Sequence, residues 1–245
     1  MRANLVAYRE YQVFLNYPFD NEFEGLANAM HFAVIASGLV PLCARDLSVP
    51  DRPRLEMLVD AISNCKYSAH DFSRCTGEGP ENFARFNMPV EMGMSLFHAL
   101  HSQRQVAQTE NPGPRCAFFV ATPHDYKKFA SDLSGLDPLV YDSETSLLSQ
   151  MFEWLRGIGA GFNQERKTMH VLDKYGVFQK RSAGLRGSGK NGRLTHHESQ
   201  ELMFEICSAC KWWTWRANDP GKLAFPPIPL ARTTPDRRGP RRRGK

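Results

Sequence analysis

The chain has 245 residues, with 42% hydrophobic and 23% charged side chains, which suits a folded globular protein and excludes a disordered one. Its formal charge is +5, but the segment from Arg232 to Lys245 carries seven Lys/Arg against one Asp, leaving the remainder at −1. A basic nucleic-acid groove across the folded part is therefore not implied.

No apolar stretch approaches the roughly 20 residues that span a bilayer. The first eleven residues contain Arg2, Arg9 and Glu10 without an apolar core, so they do not read as a secretory signal. Six scattered cysteines fit reduced thiols, and a cytoplasmic location is the expectation.

In chain order, Tyr11–Tyr17 (YQVFLNY) reads as a buried strand. Asn21–Ser37 reads as a helix stopped by Gly38, and Leu39–Ala44 as a second strand. Arg54–Asn64 has helical spacing, Tyr67–Phe72 is a third strand, and 73–87 a long loop. A helix over Pro89–His101, a strand over Cys116–Ala121, a helical turn over Tyr126–Leu133, a short strand over Pro138–Tyr141 and a helix over Thr145–Arg156 complete the pattern. Five strand–helix alternations predict an α/β fold, a doubly wound, five-stranded parallel sheet of flavodoxin-like order, over residues 1–160.

Residues 161–231 read as a linker and a helical appendage, and 232–245 as a solvated basic tail. Contact of that tail with nucleic acid is the less favoured reading. Lys180–Arg193 is Gly-rich and basic, a linker by composition. Thr195 and Glu198 match a capping box opening a helix to Cys210. The tryptophans at 212, 213 and 215 read as docking aromatics. The near phosphate loop at 184–191 has Asn191 where a Ser/Thr would hold magnesium, and Cys207/Cys210 lack a second ligand pair, so neither is taken as a site. His31, His98 and His101 read as packed or solvated, and no metal is expected.

Open parallel sheets bind ligands beyond the carboxyl ends of their strands. The residues expected there are Asn16, Tyr17, Phe19 and Asp20 after the first strand, Arg45 after the second, and Asp71 and Arg74 after the third. Arg85 and Asn87 lead into the next helix, whose first turn is expected to hold Glu91, with Asn87 as cap. A helix N-terminus favours an ionised carboxylate by about 0.3–1 kcal/mol. Such a group suits attack on, or stabilisation of, the cationic centre that forms when a glycosidic bond breaks. Asp71 would hold ribose hydroxyls or act as a second acid/base. Arg45, Arg74 and Arg85 would take phosphate oxygens, and Tyr17 and Phe19 would flank a base. A phosphoacceptor role for Asp71 is disfavoured, since the first strand offers only Asp20 and the fifth lacks a following Lys.

The runs VFLNYPFDNEF (13–23), CKYSAHDFSR (65–74) and RFNMPVEMGM (85–94) resemble the Toll/interleukin-1-receptor-like group and the nucleoside 2-deoxyribosyltransferase-like proteins, over residues 10–156. The resemblance implies a catalytic glutamate at Glu91, in Glu91-Met92-Gly93, and a third-strand aspartate at Asp71. It also implies metal-free cleavage of an N-glycosidic bond in NAD or a related nucleotide, as substrate rather than cofactor. Bacterial relatives often act as toxic antiviral effectors, so self-association is a further expectation. Met88 and Pro89 depart from the receptor-type pattern, which has an aromatic and small polar residues there. The alternative is a catalytically silent nucleotide-sensing, self-associating module.

Overall fold

A computed structural model describes residues 11–47, 51–74, 87–106, 113–128, 130–160, 167–211 and 213. Five strands, β1 (Gln12–Asn16), β2 (Val40–Cys43), β3 (Tyr67–Asp71), β4 (Arg115–Val120) and β5 (Leu139–Val140), form one sheet in the order 2-1-3-4-5. Every pairing is parallel. The strands β1 and β3 are buried along their whole length, as expected where helices cover both faces.

Strand periodicity decides which side chain meets which layer. Val13 and Leu15 of β1 and Ala69 of β3 face α1 (Glu24–Ala36) and α4 (Glu144–Gly157). Phe14 faces α2 (Arg54–Asn64), while Phe118 and Val120 face α3 (Asn87–Val106). The helices thus lie on both faces, the doubly wound arrangement.

The helix α1 is apolar almost all round: Ala29, Met30, Phe32, Ala33, Val34, Ile35 and Ala36 are each fully buried. Such a helix needs cover on its outer side as well. That cover comes from α5 (Thr168–Gly184) and α6 (His196–Ser208), whose Val171, Tyr175, Phe178, Met203 and Cys207 join the same core as the sheet. The described part of the appendage is thus a third layer continuous with the α1/α4 side. Trp213 is fixed there too, its indole N–H donating to the Ile35 carbonyl at 2.8 Å. The expected linker beginning at Lys180 gives way to helix as far as Gly184, because Val171, Tyr175 and Phe178 recur at 4/3 spacing and hold α5 on the core. The expected helical turn over Tyr126–Leu133 is two short 3₁₀ segments, Asp125–Lys128 and Ser131–Gly135.

The capping box opening α6 is present: Glu198 accepts from Thr195 N–H at 2.7 Å, and Thr195 Oγ1 accepts from Glu198 N–H at 3.3 Å. Cys207 and Cys210 are buried free thiols. No helix among the described residues is long and apolar enough to cross a membrane.

Candidate functional site

The strand order reverses between β1 and β3, which places the crevice of a doubly wound sheet at their carboxyl ends. Asn16 ends β1, and its direct register partner is His70, the last residue but one of β3. The Asn16 amide donates to His70 Nδ1 at 3.0 Å and to the Met88 carbonyl at 2.9 Å, tying both strands to the start of α3. Burial lowers the His70 pKa to about 3, so the ring is neutral. With Nδ1 accepting, the proton resides on Nε2, which is buried without a hydrogen-bond partner among the described residues. The Ser95 hydroxyl, also on α3, is likewise buried and unpartnered.

Glu91 lies one helical turn before Ser95 and is only 8% exposed. No hydrogen bond to its carboxyl is made among the described residues. Asn87 is already helical rather than a preceding cap, so Glu91 sits beyond the first turn, where the end-of-helix field has faded. Burial dominates instead and raises its pKa to about 7, against a smaller opposing pull from Arg54 at the start of α2. The expectation of a carboxylate held ionised by the helix end is corrected: this group exchanges its proton near neutrality, the range in which an acid/base residue is most effective.

Asp71 does not join Glu91. It pairs in register with Phe119 and faces the α1/α4 side, whereas α3 covers the other face. Its side chain is fully buried. One oxygen accepts from the Ser73 N–H and hydroxyl, the other from the Tyr141 hydroxyl at 2.7 Å. Burial raises its pKa to about 6, opposed by those hydrogen bonds. Asp71 thus organises the end of β3, and its expected contact with ribose hydroxyls is replaced by internal partners.

The other expected residues divide similarly. Tyr17 is 2% exposed, and its hydroxyl lies 2.9 Å from His31 Nε2 and 3.4 Å from Cys43 Sγ, so it is not an open stacking surface. Phe19 is exposed, with the Arg45 guanidinium 4.7 Å from its ring centroid. These two remain at the surface of the rim. Asp20 accepts from Phe23 N–H at 2.8 Å and pairs with Arg74 at 3.5 Å. Arg74 also bonds Glu22 at 2.7 Å, so its guanidinium ties the β1–α1 loop to the end of β3 instead of being held open for a phosphate. Asn87 is exposed at the start of α3, and Arg85 lies outside the described residues.

A second polar cluster, which the sequence reading missed, lies on the α1 side of the rim. His31 from mid-α1, Cys43 from the end of β2 and His196 from the start of α6 bring one donor atom each within 4.8 Å of the others. Asp46, in the turn after β2, adds an oxygen 3.0 Å from His196 Nε2. Burial lowers the His31 pKa to about 3 and pushes the Cys43 thiol up to about 12. Burial opposes ionisation of Asp46, but the His196 contact, the Cys43 backbone N–H and the nearby His31 together outweigh it and hold its pKa below the usual carboxylate value. The four residues are 3 to 165 positions apart, so no sequence spacing could have signalled them.

No protein-family model matches the chain, and no curated protein matches it.

Proposed function

We propose that the chain cleaves the N-glycosidic bond of NAD or a related nucleotide at the β1/β3 crevice, with Glu91 as the group that meets the reacting sugar. The observation that carries this reading is a nearly buried carboxyl, without hydrogen bonds among the described residues, on the helix that caps the switch point of the sheet. In its ionised form it would stabilise, or bond to, the developing cationic carbon. Its raised pKa lets it exchange protons without strong cost. The His70 Nε2–H and the Ser95 hydroxyl lie buried on the same side of the sheet, without hydrogen-bond partners among the described residues. The exposed Phe19/Arg45 pair offers an apolar plane with a cation, suited to a base and a phosphate. Action as an antiviral effector belongs to this proposal by resemblance alone.

The test is release of free base from NAD and from a panel of nucleosides and nucleotides by the purified chain. Turnover that disappears in Glu91→Gln, with the circular dichroism spectrum unchanged, supports the assignment. Wild-type turnover by that variant refutes it.

A second reading, a nucleotide-sensing module that self-associates without chemistry, is favoured by two observations. Asp71 is engaged internally, leaving one carboxyl at the crevice. The outer faces of α2 and α3 also expose Leu55, Val59, Val90, Phe97 and Leu100. It requires saturable nucleotide binding by calorimetry, a concentration-dependent rise in mass, and no product from the assembled protein.

A further inference from the structure

The cluster of His31, Cys43, Asp46 and His196 has the composition and convergence of a metal site. The Cys43 sulfur lies 3.6 Å from His196 Nε2. A tetrahedral zinc, with bonds of about 2.3 Å to sulfur and 2.0–2.1 Å to nitrogen, sets those two atoms about 3.6 Å apart. Asp46 presents Oδ1 to the same His196 nitrogen at 3.0 Å, while its Oδ2 accepts the Cys43 backbone N–H at 2.8 Å. His31, Cys43 and His196 thus bring one donor atom each within 4.8 Å of one another, and Asp46, beside His196 Nε2, is placed to complete the set by turning its Oδ1 to the metal.

His31 supplies the remaining donor through Nδ1, which leaves Nε2–H to donate to the Tyr17 hydroxyl at 2.9 Å. The Gln200 amide nitrogen, 3.1 Å from both His31 Nδ1 and His196 Nε2, gives way to the ion. An outer partner such as the Tyr17 hydroxyl orients a metal-bound imidazole.

A cysteine-based nucleophilic triad is excluded by the same contacts. That chemistry needs the thiol and the carboxylate on opposite nitrogens of the histidine, whereas here both approach Nε2. Cys43 is also fully buried, out of reach of a substrate.

We propose that His31, Cys43, Asp46 and His196 bind one zinc ion that clasps the C-terminal helix α6 onto the carboxyl edge of β2. On binding, the Cys43 thiol releases its proton to solvent and the sulfur bonds the metal. Sulfur and imidazole together favour zinc over magnesium or calcium. His31 and Cys43 are buried, Asp46 and His196 are largely covered, and all four ligands would come from protein, the pattern of a structural rather than a catalytic zinc. It lies on the α1 side of the sheet, whereas Glu91 is on the α3 side, so neither assignment depends on the other.

The test uses the full chain, stripped of metal by a chelator and dialysed. Cobalt(II) titration should saturate at one ion per chain, with an intense near-ultraviolet sulfur-to-cobalt band that zinc displaces. Zinc should also raise the melting temperature. Cys43→Ser should lose the band, and His196→Asn should weaken binding at least tenfold. The double variant C207S/C210S should keep both band and affinity. Should Cys43→Ser fail to fold, His196→Asn decides, because it removes a partly exposed side chain from the first turn of α6. Absence of the band and of stoichiometric zinc in the wild type would overturn the site. So would a band lost in C207S/C210S, or wild-type affinity in His196→Asn.

Discussion

Asn16 donates its side-chain amide to Nδ1 of His70, which fixes the imidazole as the Nε2–H tautomer at the point where the strand order reverses. The same amide reaches Met88 O, so one side chain sets both the ring and the entry to α3. Nitrogen NMR should show the Nε2–H tautomer of His70 throughout pH 5.5 to 8, with no titration in that range. Asn16→Leu has similar volume but no donor, and leaves Nδ1 and the Met88 carbonyl buried without it. Denaturant unfolding should record a loss of about 1–3 kcal/mol, chiefly from His70 Nδ1 left buried and unpaired, since the Met88 carbonyl keeps its place in the ladder of α3.

Glu91 links folding to pH in a definite direction. Its pKa is raised from 4.5 to about 7 in the fold by burial, so the native state holds the proton more tightly than the unfolded chain. Below about pH 4.5 both states are protonated and the group is neutral in its effect. As pH rises from there through 7, native stability falls, and above 7 the penalty levels off. Its ceiling is about 3 kcal/mol. Glu91→Gln should remove this slope and raise stability at pH 8. Urea midpoints for both proteins at pH 5 and pH 8 check it.

Catalysis should run against that stability trend. If the ionised carboxylate meets the sugar, kcat/KM for base release rises with pH and plateaus above an apparent pKa near 7, following the fraction of Glu91 deprotonated. A profile falling across the same interval would assign Glu91 the acid role. An initial-rate series from pH 5 to 9 separates the two.

The layered sheet was readable in the sequence because continuous apolar runs such as Val13–Leu15 and Ala117–Val120 can only be strands buried on both faces. The third layer was also written there. Met30, Phe32, Ala33, Val34 and Ile35 make α1 apolar beyond a single stripe, and Val171, Tyr175 and Phe178 recur at helical spacing. Of the site, the placement of Glu91 near the start of the helix after β3 was legible, but neither its turn nor its ionisation was, since the helix begins already at Asn87 and burial arises from tertiary packing. The facing of Asp71 followed from the two-residue period of β3 once its register with Phe119 was known. No local pattern could join His31, Cys43 and His196, because they meet only through the docking of α6.

Tyr141 holds Asp71 in place. Removing its hydroxyl in Tyr141→Phe leaves Asp71 Oδ2 without its 2.7 Å donor inside the fold. A lost hydrogen bond to a charged, buried acceptor costs about 1.5–3 kcal/mol. It also raises the Asp71 pKa above its present value of about 6, because that bond favours the ionised form. The native form then loses stability as pH rises through a wider interval above the unfolded value. Thermal melts at pH 5 and pH 8 should show the variant's deficit growing with pH. A deficit independent of pH would mean the bond does not act on the charged form.

Gly25 occupies the second position of α1, where alanine would ordinarily gain up to about 1 kcal/mol of helix propensity. Here a Cβ would overlap the Glu144 carboxylate. That carboxylate cannot simply swing aside, since Tyr175 and Gln179 of α5 each donate to it at 2.9 Å. The Tyr175 hydroxyl also lies 3.1 Å from the Gly25 carbonyl, sharing its one proton between the two acceptors, so three helices meet at this contact. Gly25→Ala should therefore destabilise by about 1–2 kcal/mol, the loss of two charge-assisted bonds exceeding the propensity gain. Glu144→Ala alone loses the same bonds. In the double variant the added methyl meets no carboxylate, and its propensity gain appears. The double-mutant cycle should thus give a coupling energy of at least about 1 kcal/mol, with the pair no less stable than Glu144→Ala. Additive losses would mean that Glu144 yields to the methyl without giving up its partners on α5.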